Sequence, residues 1–129
     1  MTISPQDATI LIVEDDEAVA KTFARVLGVR GYRVLVAQNS EEALRELDQS
    51  RPDAVIMDLR MPLVDGFGLL YRIRSREAQQ HIPVLVVTGD TTLTVVMLKE
   101  LSDLGAKVRY KPIEGAELLA ETGAMLASE

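Results

Sequence analysis

Five times along the chain, a short apolar run gives way to a longer segment whose apolar residues recur at helical spacing. The runs are Ala8-Thr-Ile-Leu-Ile-Val13, Arg33-Val-Leu-Val-Ala37, Asp53-Ala-Val-Ile-Met57, Ile82-Pro-Val-Leu-Val-Val87 and Lys107-Val-Arg-Tyr110. The first, third and fourth are nearly continuous in apolar, β-branched residues, the pattern of strands buried on both faces. The first intervening segment carries Ala18, Val19, Thr22, Phe23, Val26 and Leu27 and closes at Gly31-Tyr32, a C-terminal glycine stop. The second opens at Asn39-Ser40 with Glu41 and Glu42 in its first turn, carries Ala43, Leu44 and Leu47, and stops near Arg51-Pro52, where a proline disfavours further helix. Phe67, Leu70, Tyr71 and Ile73 mark the third, and Leu93, Val96, Met97, Leu101 and Leu104 the fourth. Residues from about 114 to 127 make the last. Strands alternating with helices through short connections are solved economically by a parallel sheet with right-handed crossovers. The expected fold is an α/β sandwich with helices on both faces of the sheet.

A chain of 129 residues is the size of one domain, with no repeat, linker or low-complexity stretch. The expectation is a single domain over 1–129 with an ordered core from about 8 to 127. Apolar residues make up 47% and charged residues 26%, which excludes a disordered chain. Lys and Arg total 14 against 20 Asp and Glu, so the net charge is 14 − 20 = −6, and direct nucleic-acid binding, which needs a basic face, is not expected. Without cysteine there is no disulfide scaffold, thiolate zinc site or thiol nucleophile. The single histidine, His81, argues against a histidine metal site or a Ser-His-Asp triad and reads as a surface loop residue. No apolar run reaches the ~20 residues of a membrane span, and the first residues lack the features of a signal peptide. A soluble, cytoplasmic protein is the expectation.

In open parallel sheets, ligands bind beyond the carboxyl ends of the strands. Glu14, Asp15 and Asp16 follow the first run, Asp58 the third, Thr88 the fourth and Lys111 the fifth. Several carboxylates, a hydroxyl and an ammonium thus converge on one rim. Clustered carboxylates repel one another unless a cation intervenes, and hard oxygen donors without His or Cys favour Mg²⁺ over zinc. Such an ion with open positions can hold a phosphoryl oxygen, with the hydroxyl and the ammonium on the other oxygens. A carboxylate left to attack phosphorus becomes an acyl phosphate. The chemistry reads as phosphoryl transfer to an aspartate. The bland alternatives are acids favoured by a helix N-terminus at Glu14 to Glu17, an Asx turn at Asp58, and a solvated Lys111.

The set Val13-Glu14-Asp15-Asp16, Met57-Asp58-Leu-Arg-Met-Pro62, Asp65-Gly66, Thr88-Gly89 and Lys111-Pro112 resembles the receiver domain of two-component response regulators, the CheY-like family. The likeness covers nearly the whole chain, in order. It implies a flavodoxin-like, three-layer α/β sandwich with a five-stranded parallel sheet in the order 2-1-3-4-5 and five helices. It implies Asp58 as phosphoacceptor and Mg²⁺ ligand, Asp15 as a direct ligand, Glu14 acting through water, and the Arg60 carbonyl completing the protein ligands. Asp16 is left to cap the first helix. Thr88 would hydrogen-bond the phosphoryl group, Lys111 would pair with it, and the Lys111–Pro112 peptide would be cis. Arg60 and Asp90 would line the path of the hydrolytic water, or else point to solvent.

The resemblance also implies a phosphohistidine donor on a sensor histidine kinase or a histidine phosphotransfer protein, docking near Val19, Thr22 and Ile113. Its signalling surface is helix four, strand five and helix five, presented to a downstream target that the sequence does not identify, by a monomer or a phosphorylation-dependent dimer. Turnover would be limited to Mg²⁺-dependent self-phosphorylation and autodephosphorylation. Two rival readings are an aspartate-nucleophile phosphohydrolase, for which the chain has no obvious substrate cap, and a degenerate receiver acting only as an interaction module. One departure is local. Many receivers carry an aromatic residue three positions before the lysine, where this chain has Val108, while Tyr110 lies on the same face of the strand. The segment from Gly105 to Lys111 is shorter by one residue than in many stand-alone receivers, as in receivers attached to hybrid kinases. The chain reads as a single-domain regulator, a phosphoryl shuttle, or a piece of a longer kinase or regulator.

Overall fold

The computed structural model describes residues 3–59, 66–90 and 92–127. After a 3-10 turn at Pro5–Asp7, the order is β1 (Thr9–Val13), α1 (Glu17–Arg30), β2 (Arg33–Ala37), α2 (Ser40–Ser50), β3 (Ala54–Met57), α3 (Gly66–Ser75), a 3-10 turn at Glu77–Gln79, β4 (Val84–Thr88), α4 (Val95–Asp103), β5 (Ala106–Tyr110) and α5 (Gly115–Leu126). The five strands form one parallel sheet in the order β2-β1-β3-β4-β5. The expected architecture and strand order are both present.

Local chemistry sets the helix ends. Asp16 accepts from the Ala18 and Val19 amides at the start of α1, as expected of an acidic N-cap. Gly31 ends the helix at φ 111°, a left-handed conformation open to glycine, with its N–H on the Leu27 and Gly28 carbonyls. Asn39 Oδ1 accepts from the Glu42 amide at α2, and the Glu42 carboxylate in turn accepts from the Gln38 amide.

The inner strands are buried almost throughout, while β2 and β5 form the edges. One core packs Leu11, Val13, Val55, Met57, Val84 and Val86 against Leu44 and Leu47 of α2, Leu69, Leu70 and Ile73 of α3, and Leu101 of α4. The other packs Ile10, Ile12, Ile56, Leu85 and Val87 against Phe23 and Leu27 of α1 and Leu118 and Leu126 of α5. Strand alternation thus feeds two layers of helices.

Several strand boundaries differ from the sequence reading: β1 starts at Thr9 and not Ala8, and β5 at Ala106 and not Lys107. Asp53 lies outside β3 because its carboxylate accepts the Thr9 amide at 2.8 Å while its own amide donates to the Thr9 carbonyl at 2.7 Å. Ile82 and Pro83 precede β4: the Ile82 amide is spent on the Gln79 carbonyl, and proline has no N–H for a ladder. Thr88 instead belongs to β4. The two 3-10 turns had no periodic signal. Among the described residues, no helix is long and apolar enough to cross a membrane.

Candidate functional site

Glu14 and Asp58 each stand one residue beyond a buried strand, β1 and β3, and share the parity of the α1/α5 face. Lys111 stands one residue beyond β5 on the same parity. The ladder continues past the strand ends: the Glu14 amide donates to the Ala37 carbonyl at 3.0 Å, Asp58 to Val13 at 3.2 Å and Lys111 to Thr88 at 2.9 Å. These bonds hold the three side chains at one rim. There the Lys111 ammonium donates to Glu14 Oε1 at 2.8 Å and to Asp58 Oδ2 at 2.9 Å.

The carboxylates are nearly out of water. Glu14 is 3% exposed and Asp58 7%, whereas the Lys111 side chain retains 24%. Burial pushes the Glu14 carboxyl above its usual range, with the Asp58 charge adding to the rise and Lys111 and the Asp16 amide opposing it. Burial alone would depress the Lys111 ammonium, but its bonds to Glu14 and Asp58 prevail and raise it. The pocket thus holds two carboxylates against one ammonium, and Asp15, half-buried, follows Glu14 in the chain.

Thr88, at the end of β4, is fully buried. Its Oγ1 accepts the Asp90 amide at 3.1 Å, and Asp90 Oδ1 in turn accepts the amide and hydroxyl of Thr92 at 2.9 and 2.5 Å. The loop after β4 therefore carries its own hydrogen-bonded turn. Register places Thr88 beside Tyr110, and Val86 beside Val108. Tyr110 is 43% exposed, while Val108 packs on the core. The aromatic neighbour of the threonine is thus the residue next to the lysine.

Gly66 opens α3 against the loop leaving Asp58. A Cβ there would sit 2.6 Å from the Leu59 Cα and 2.8 Å from its carbonyl oxygen, so the close backbone approach accounts for the glycine. Lys111–Pro112 is cis, as the resemblance implied. His81 is exposed. Arg60, whose carbonyl the resemblance makes a metal ligand, and Asp65 lie outside the described residues.

The family model described as "Response regulator receiver domain" matches residues 10–122. The chain belongs to the response regulator receiver family. The response regulator MprA of Mycolicibacterium vanbaalenii is 37% identical over 118 residues, covering 91% of this chain and 49% of that protein. The chain spans about half the length of the curated relatives it matches. Among solved structures, the chemotaxis protein CheY4 of Vibrio cholerae superposes with a TM-score of 0.85 at 28% identity, covering 92% of this receiver and 98% of that chain. The receiver domain of a signal transduction histidine kinase from Syntrophus aciditrophicus gives 0.82 at 28% identity, covering 95% of each. Receiver domains are two-component signalling phosphoacceptors, and the fold and strand-end chemistry of this receiver agree with that role.

The donor set fits a hard divalent cation: carboxylate oxygens, no histidine or thiolate, and two carboxylates against one ammonium. Among the described residues, no group of three acidic side chains converges tightly enough to enclose an ion. The lysine occupies the space between two of them.

Three features escaped the sequence reading. One is the direct contact of Glu14 with Lys111, where a water-mediated metal role had been implied. The second is the buried Glu121 of α5, paired with Lys107 and Arg109; alternate cations along a strand were its legible signal. The third is Arg74 of α3, whose guanidinium donates to the Leu104 and Ile82 carbonyls at 2.6 and 2.7 Å, tying the far end of the sheet together.

Proposed function

We propose that this receiver accepts a phosphoryl group on Asp58 from a phosphohistidine of a sensor kinase or phosphotransfer protein. A carboxylate oxygen of Asp58 attacks phosphorus, the P–N bond to the donor imidazole breaks, and the imidazole leaves to take a proton from solvent. The nucleophile must be ionised while buried, and the Lys111 ammonium at 2.9 Å supports that state. This contact is the observation that carries the reading. When bound by Asp15 and Asp58, with Glu14 behind, Mg²⁺ would supply charge neutralisation for the incoming phosphoryl oxygens. Lys111 would then turn from Asp58 to a phosphoryl oxygen, and the Thr88 hydroxyl would donate to another after leaving the Asp90 amide.

Val19, Thr22 and Ile113, with Ala18, Phe23 and Pro112, line an apolar depression of about 430 Å³ that ends at Lys111. Its position beside the acceptor supports docking of the donor protein there. The acyl phosphate adds roughly −1.5 to −2 charge by analogy with other protein phosphates, and this shifts the loops after β3 and β4 and the α4-β5-α5 face between populations.

Intact mass after incubation with acetyl phosphate and Mg²⁺ tests the reading. One phosphate adduct is expected on the wild type and none on Asp58→Asn. An adduct that persists in Asp58→Asn, or none on the wild type, overturns it.

A further inference from the structure

Lys107 and Arg109 occupy alternate positions of β5 and Lys111, one residue past its end, continues the alternation, so the three cations share one face. That face looks toward α5. The Lys107 ammonium lies 2.8 Å from Glu121 Oε1, and the Arg109 guanidinium pairs with Glu121 Oε2. The next cation along, Lys111, pairs with Glu14 and Asp58.

On the face toward α5, β5 has no apolar anchor of its own. It is an edge strand, laddered to β4 alone, none of its five residues is buried, and its packing residues Ala106 and Val108 turn to the opposite core. The apolar contacts of α5 run to the neighbouring strands, where Leu118 and Leu126 join the core with Ile56, Leu85 and Val87. Glu121 is 8% exposed and sits on the inner face of α5, while its two partners are about half exposed. The carboxylate is therefore the fixed member and the cations are drawn to it. Burial would raise the Glu121 carboxyl, but the two cations outweigh that and hold it below its usual range.

We propose that Glu121 is a positioning residue for Lys111: by clamping Lys107 and Arg109 it fixes β5 against α5, and so sets the reach of the Lys111 ammonium toward Glu14 and Asp58. The lever is short. Lys111 is one residue past the strand, and a shift of about 1 Å carries its contacts from 2.8 and 2.9 Å beyond hydrogen-bond range.

Glu121→Leu tests this, because Lys107 and Arg109 are about half exposed and return to water, so the variant leaves no charge buried and unpaired. Amide exchange is read first, without any phosphodonor. Faster exchange confined to residues 107–111, with β1 and β3 amides and the melting temperature unchanged, is the expected result. Beryllofluoride is then titrated with Mg²⁺, and its affinity falls about ten- to a hundredfold. Wild-type exchange and wild-type affinity overturn the proposal. So does faster exchange across the whole sheet with a lowered melting temperature, which is the mark of a merely structural role. Should Glu121→Leu fail to fold, Glu121→Gln, which keeps size and hydrogen-bonding atoms, is judged by the same criteria. The affinity arm rests on the phosphoacceptor reading. If the wild type binds no beryllofluoride, that reading fails, and the exchange arm still decides the clamp.

Discussion

Lys111 Nζ donates to Asp58 Oδ2 at 2.9 Å, bridging 53 positions of sequence. The same ammonium holds Glu14 at 2.8 Å, so one cation stands between two nearly buried carboxylates. Before any phosphoryl group arrives, this lysine is what makes two negative charges tolerable in one small pocket.

Removing that cation by Lys111→Met exposes its role through pH. The folded-state Glu14 carboxyl already lies above its ordinary value of 4.5, and losing Lys111 raises it further. A carboxyl raised by folding costs nothing below its unfolded pKa and destabilises as pH rises through the folded value. The variant is therefore expected to lose stability relative to the wild type at neutral pH, by about 3–5 kcal/mol at most, and to recover as pH falls toward 4.5. Urea unfolding across that range checks the sign. A deficit that grows on acidification contradicts the account.

Mg²⁺ should relieve the same charge excess. Adding it to the wild type is expected to raise the melting temperature at neutral pH, with the gain shrinking as Glu14 protonates at lower pH. The gain should be larger in Lys111→Met than in the wild type, and calorimetry with and without the metal measures both.

Thr88→Val keeps the shape of a buried side chain and deletes its oxygen. The Asp90 amide, 3.1 Å from that oxygen, loses its acceptor, at a cost of about 1 kcal/mol. Asp58 should still gain phosphate from acetyl phosphate by mass. The backbone resonances of residues 88–92 should no longer respond to it, because the group that would follow the phosphoryl is gone. An unaltered response would remove Thr88 from the switch.

Gly66→Ala tests the packing that holds the Asp58 loop. Its Cβ would meet the Leu59 backbone at 2.6 and 2.8 Å, and backbone has no flexible end to yield. Overpacking of this kind costs about 1–3 kcal/mol. A lower melting temperature and slower phosphate uptake should appear together.

Leu101 is the buried residue of α4, whose Val95 and Val96 face water. Leu101→Ala should cost about 2–5 kcal/mol and speed amide exchange in α4 ahead of the rest of the molecule. Uniform acceleration instead would mean that α4 is not a separately yielding element.

The alternation of apolar runs with helical periodicity determined the layers, because buried strands and amphipathic helices bear different periods that need no partner to be read. Strand ends followed, and with them Asp58, Thr88 and Lys111 as candidates at one rim. Helix caps at Asp16, Asn39 and Gly31 were equally local, since each acts on amides or carbonyls within a turn. What the tertiary structure alone decided is which charges meet. Glu14 turned out to share Lys111 with Asp58, and Glu121 to be the anion beneath β5, across a separation of 97 residues for Glu14 and Lys111 and between separate elements for Glu121. The limits of β3 and β4 were decided the same way, by Asp53 and Ile82 spending their hydrogen bonds elsewhere. Periodicity reports which face a side chain takes; a charge pair depends on distance, and distance between remote residues exists only once the sheet has closed the loops between them.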